Sequence, residues 1–145
     1  MSDHTGIYEF TYVCGKGDLT AVRYHMAAEN FNIEWITNTV YCPNGLVEAC
    51  RSKNIQVIEY LLQYVDNIDI EYIDSHEMNI EILKLFLAHG KFNDDIRNTQ
   101  LYNDFTDTND TFTKKYKKFM KRAKPLVDEF IFRLDGPIYN ENIIG

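Results

Sequence analysis

Gly17-Asp18-Leu19-Thr20-Ala21-Val22-Arg23-Tyr24 lies over Lys53-Asn54-Ile55-Gln56-Val57-Ile58-Glu59-Tyr60 at a separation of 36 residues. Under that offset Cys14 falls on Cys50 and Val13 on Ala49. An internal repeat constrains a chain strongly, because each copy must fold alike and bury the same side against a neighbour. The more legible copy runs from Asn44 to Tyr64. Leu46, Ala49 and Cys50 fall at i, i+3, i+4, one apolar stripe of a helix of about two turns. After the polar break Arg51-Ser52-Lys53-Asn54, a second stripe runs through Ile55, Ile58, Leu61 and Leu62, widened by Val57 and Tyr60. Isolated helices below ~12 residues are marginal in water, so both must be covered by neighbours. A stack of short helix pairs is expected.

A third copy of the second helix begins 25 residues after Asn54, at Asn79-Ile80-Glu81-Ile82-Leu83-Lys84-Leu85-Phe86-Leu87-Ala88-His89-Gly90. The shorter spacing implies that this unit has lost part of its connecting turn or first helix. With Leu46-Val47-Glu48-Ala49-Cys50, Lys53-Asn54 and Val57-Ile58-Glu59-Tyr60-Leu61-Leu62, the chain resembles the ankyrin-repeat family over roughly residues 8 to 92. That family has a small-residue first helix, a Gly-Asn or Gly-Asp turn and a Val-x-x-Leu-Leu second helix. Gly17-Asp18 and Leu87-Ala88-His89-Gly90 supply further pieces. Cys42-Pro43-Asn44-Gly45 and Ile73-Asp74-Ser75-His76 stand where the family has Thr-Pro-Leu-His. The resemblance implies an all-α fold: a short ankyrin-like stack over residues 1–92 and a C-terminal helical extension over 93–145 packed on it.

A chain of 145 residues fits one domain able to bury about 68% of its unfolded surface. No apolar run approaches the ~20 residues of a membrane span, and Met1-Ser2-Asp3-His4-Thr5 lacks the parts of a signal peptide, so an intracellular, cytoplasmic chain is expected. Three cysteines in no metal-like spacing point to reduced thiols. Residues 1 to 7 read as loose. Phe31, Ile33, Trp35 and Ile36 make the connection 29–44 too apolar for a free loop. It should pack back on the stack. Asp66-Asn67-Ile68-Asp69-Ile70-Glu71 reads as an acidic connector, and 94–110 as a polar, turn-rich stretch. Phe112, Tyr116, Phe119 and Met120 then share one helical face. Pro125 is expected to interrupt it before Leu126, Val127, Phe130, Ile131 and Leu134 make another.

Lys114, Lys115, Lys117, Lys118, Lys121, Arg122 and Lys124 place seven of the fifteen basic residues within eleven positions, with no acid between them. With the chain at −7 and this segment at +7, the remainder carries −14. Such a cluster suits nucleic acid or an acidic partner, through counterion release. It suits better a solvated helix face lying near Asp66, Asp69, Glu71 and Asp74, since the acidity of the whole chain opposes nucleic acid at long range.

Catalytic constellations are weak. The repeat puts Cys14 and Cys50 on the inner stripe of a first helix, where Cys acts as a small buried hydrophobe. Cys42 precedes Pro43 in a turn, with no neighbour to lower its pKa. His4, His25, His76 and His89 are scattered, the last two near helix ends. Gly15-Lys16-Gly17-Asp18 lacks phosphate-loop spacing and fits a helix-helix turn. Glu77 and Glu81 read as an i, i+4 pair on a solvated helix face. No enzyme chemistry, cofactor or metal is therefore expected.

A binding surface remains. The ankyrin resemblance implies that a protein partner meets the turn tips and the exposed side of each first helix. These are Tyr12 and Lys16 in the first unit, with Tyr41, Asn44, Glu48, Arg51 and Ser52 in the central one. Tyr12 and Tyr41 stand out, since tyrosine is enriched at binding hot spots. Two other readings stay open. One is nucleic-acid or ribonucleoprotein association through 114–124. The other is a structural subunit docking through Phe130 to Ile144. The excess of Asn, Ile, Tyr, Lys and Asp is similar to that of AT-rich genomes, among them large DNA viruses of protists. A viral adaptor of that kind would meet a host protein in the host cytoplasm.

Overall fold

Ile7, Phe10 and Cys14, all buried, recur at i, i+3, i+7 and give the first segment one apolar stripe. The computed structural model describes residues 4–107 and 111–144, with side chains over 6–107 and 111–135, and these residues form helices and turns without a strand. The chain divides into two compact units between Asn67 and Ile68.

The first unit holds two helix pairs: α1 His4–Lys16 with α2 Leu19–Met26, and α3 Gly45–Arg51 with α4 Ile55–Leu62. α1 packs along α3, and α2 against α4. The turns between the helices of each pair share one backbone feature. Gly17 and Lys53, which the 36-residue offset equates, both take left-handed conformations, with φ of 73° and 57°. Gly17 has a second reason to be glycine, because a Cβ there would stand 2.5 Å from Asn54 Oδ1. The residues that follow have diverged in their bonding. Asp18 caps α2 by accepting from Ala21 N at 3.0 Å, whereas Asn54 donates its amide to the carbonyls of Cys14 and Gly15, at 3.2 and 2.9 Å. The second copy is thereby tied to the end of α1 in the first.

Residues 29–44 do pack back. A 3-10 turn at Ile33–Trp35 leads into buried Ile36, whose carbonyl accepts from Leu46 N at 2.9 Å. Phe31 meets Phe10 edge-on at 5.1 Å and Trp35 at 5.6 Å. Gly45 lets α3 approach this cluster, since a Cβ there would lie 2.5 Å from Phe10 Cε2. One expectation is corrected here: residues 4–7 begin α1, because Ile7 joins its buried stripe. Residues 1–3 lie outside the described part.

In the second unit, Ile68 N donates to Lys91 O at 2.8 Å and Asn93 N to Ile68 O at 3.0 Å. Asn93 Oδ1 accepts from Ile70 N at 3.0 Å. These bonds place the segment before α5, Ile80–His89, beside the segment after it. α5 is the third repeat-like helix, capped by Asn79 through Ile82 N at 2.8 Å and ended by left-handed Gly90 at φ 80°. Where the other copies have a first helix, this one has only the 3-10 stretch Ile70–Asp74. Glu77 lies in the turn before Asn79, so it forms no i, i+4 helical pair with Glu81.

Asp74 instead caps α6, Gln100–Asp104, by accepting from Gln100 N and Leu101 N, each at 2.9 Å. α7, Lys114–Ile144, packs on α5 and α6. It buries Ala123 and Val127 and sets Phe130 against Phe92 at 5.7 Å. The sequence boundary at 92/93 therefore differs from the boundary between compact units, because α5 groups with α7 rather than with the first two pairs. Pro125 does not interrupt α7. Its missing N–H frees the Lys121 carbonyl one turn back, and both residues lie on the exposed side, where water can replace the lost bond.

Candidate functional site

Three surfaces carry exposed chemistry. On α1, Tyr8 and Tyr12 stand one turn apart on the side turned away from the buried stripe, and Gly15 lies between that side and α3. Tyr8 is 68% exposed and Tyr12 63%. With Glu9, Val13 and His25 of α2 they line a shallow depression of about 350 Å³. Gly15 is the point of approach to α3, since a Cβ there would stand 3.6 Å from Ser52 Oγ and 3.9 Å from Glu48 Cβ.

The expected partner-facing residues divide on this geometry. Tyr12 and Lys16 sit together, with the Lys16 ammonium 5.4 Å from the Tyr12 ring centroid. Across Gly15 lie Glu48, Arg51 and Ser52, with Arg51 Nη1 and Glu48 Oε2 at 3.2 Å. Tyr41 is half-buried in the turn before α3. Asn44 is a correction. It is 1% exposed, and its side chain accepts from Val47 N at 2.8 Å, so it caps α3 and faces no partner. Tyr8 and His25 were not singled out from sequence. Tyr8 had a signal, since it precedes Tyr12 by one helical turn off the stripe of Ile7, Phe10 and Cys14. His25 had none, being joined to them only by the packing of α2.

A cleft of about 540 Å³ opens in the second unit between the 70–74 turn, α6 and the start of α7. Ile73, Met78, Leu101, Phe112 and Phe119 make its walls apolar. Its carboxylates are engaged within the fold. Asp74 caps α6, and Asp104 accepts from Gln100 Nε2 at 2.8 Å and from the Tyr116 hydroxyl at 2.5 Å. Carboxylates so held position α6 and the start of α7.

The third surface is the basic side of α7, where all seven cations from Lys114 to Lys124 are exposed. Lys124 pairs with Asp128 at 2.6 Å. Among the described residues Lys114, Lys115, Lys118, Lys121 and Arg122 make no ion pair, so the acids at 66–74 do not hold them.

The thiols follow burial. Cys14 and Cys50 are buried, and burial pushes each thiol up to about 12, which leaves both protonated at neutral pH. Cys42 is exposed. One thiol per chain should therefore react rapidly with a chromogenic disulfide at pH 8, and all three only after unfolding. Fast reaction of two or three in the native chain would refute this placement. His89 ends α5 with Nδ1 accepting from Lys91 N at 3.3 Å. The side chain of His4 lies outside the described residues. Among those described, no group of three His, Cys, Asp or Glu side chains could hold a metal ion, and no helix is long and apolar enough to cross a membrane. No protein family, no curated protein and no solved structure matches the chain.

Proposed function

We propose that the chain is a non-enzymatic, ankyrin-like interaction module that recognises a protein partner through the outward side of α1 and the adjoining end of α3. The observation that supports it most is the exposure of Tyr8 and Tyr12 one turn apart, above a depression and beside Lys16. Both rings are more than half exposed on one side of a helix. Tyrosine in that setting supplies contact area at low entropic cost and is enriched at hot spots. The left-handed residues at Gly17 and Lys53, which the 36-residue offset equates, support the ankyrin-like part of the reading. An adaptor role follows if α7 serves a second partner.

The test is recovery of partners from cell extract by the intact chain, by a Tyr8→Ala/Tyr12→Ala variant, and by a variant with the seven basic residues of 114–124 changed to Glu. The expected result is a protein held by the first and third and lost by the second, with affinity weakened at least ~30-fold, about 2 kcal/mol, as for a hot-spot pair. A partner retained by the tyrosine variant, or none retained by the intact chain, would refute the reading.

A further inference from the structure

α7 is amphipathic in an unusual proportion: its cations span half of the helix circumference. At ~100° per residue, Lys117 and Lys124 lie along one flank and Lys115 and Arg122 along the opposite flank. Lys114, Lys118 and Lys121 run down the crest between them. All seven are exposed. Tyr116, Phe119, Ala123 and Val127 fall on the other half; Ala123 and Val127 are buried and Tyr116 and Phe119 partly so. From 114 to 124 the basic half is about 15 Å long.

From this arrangement we propose that the exposed half of α7 binds duplex DNA through its phosphates, lying in the major groove. The site is independent of the α1 surface. A helix about 10–12 Å across fits a groove ~12 Å wide, which phosphates border on both sides. A helix in that position meets anions on two opposite flanks at once, which is where Lys117, Lys124, Lys115 and Arg122 stand. An acidic polypeptide would lie along one strip and leave a flank unpaired. A membrane surface would require the apolar half to insert, and that half is packed on α5 and α6. An A-form RNA duplex presents too narrow a major groove.

The −14 carried elsewhere does not prevent this. At physiological salt, charges more than about 8 Å away are largely screened, and five of the seven cations are already free of ion pairs among the described residues. The crest carries lysine alone, a flexible point charge that can reach a guanine edge but has no planar fork or amide to tell one base sequence from another. Binding is therefore independent of sequence, with a dissociation constant of roughly 1–100 μM at physiological salt.

Fluorescence anisotropy of a labelled 20-base-pair DNA duplex, titrated with the full chain between 50 and 200 mM salt, tests the proposal. With the four flank residues on phosphates, the slope of log K against log salt should be about −3.6. Changing the four flank residues to Gln, or the three crest lysines to Gln, should each weaken binding at least tenfold. The flank variant should also flatten the slope by about 0.9 per lost phosphate contact, and the crest variant, whose lysines face the groove floor, by less. Far-UV circular dichroism and melting of each variant verify that the helix is intact. A slope shallower than about −2, affinity unchanged in both variants, equal binding of an RNA duplex of the same sequence, or displacement by polyglutamate at equal charge would each overturn it.

Discussion

Phe10→Ala is expected to lower the melting temperature of the chain by more than about 12 °C. Phe10 is fully buried in α1, and three separate parts of the first unit converge on its ring. Phe31 meets it edge-on at 5.1 Å and Trp35 lies at 6.4 Å. The backbone of Gly45 comes so close that a Cβ would stand 2.5 Å away. Truncation removes the transfer free energy of the ring and leaves a cavity that Gly45, having no side chain, cannot fill. Phe to Ala in a core costs about 3–5 kcal/mol, and the loss of two aromatic pairs adds to the upper end. For a unit of this size each kcal/mol moves the midpoint by roughly 4–8 °C. Phe10→Leu, which keeps most of the volume, should cost about a third as much. A fall of less than about 5 °C for the alanine variant would show that the connection 29–44 is not anchored on this ring.

Phe10 also shows what the sequence could and could not reveal. The helix pairs were legible because the same stripe occurs twice at one offset, and residues 44–64 carry it cleanly. The Phe10–Phe31–Trp35 cluster was legible only as an apolar excess in 29–44. Nothing local says which ring meets which, since the partners come from separate segments. Asn44 was misplaced because a capping Asn and a partner-facing Asn look alike before α3 is positioned. Pro125 was misread for a related reason: proline ends a helix when the freed carbonyl is buried, but here that carbonyl lies on the solvent side. The basic run was plain as composition. Its division into two flanks and a crest required knowing which half of the helix is packed, the half carrying Ala123 and Val127.

Tyr116→Phe is expected to destabilise the chain by about 2 kcal/mol while leaving its helix content unchanged. Asp104 ends α6 at 6% exposure. One carboxylate oxygen accepts from Gln100 Nε2 and the other from the Tyr116 hydroxyl, so the phenol ties α7 to α6. Removing the hydroxyl leaves a mostly buried, charged acceptor without its second donor, and a hydrogen bond to a charged group contributes about 1.5–3 kcal/mol. At roughly 4–8 °C per kcal/mol, the melting temperature should fall by about 8–16 °C. The same contact has a pH signature. Burial first, then the hydrogen bond to Asp104, then the charges of Asp104 and Asp74 push the Tyr116 phenol above its ordinary value. A group with a raised folded-state pKa contributes stability that is whole below its unfolded pKa, ~10 for tyrosine, and is lost as pH rises toward the folded value. The native chain should therefore lose stability above pH 10 faster than Tyr116→Phe does. The comparison also cancels the other tyrosines, including Tyr60, whose phenol is raised mainly by its hydrogen bond to Tyr64. Parallel melting curves for the two chains from pH 9 to 11 would show that the hydroxyl does not hold α7 to α6.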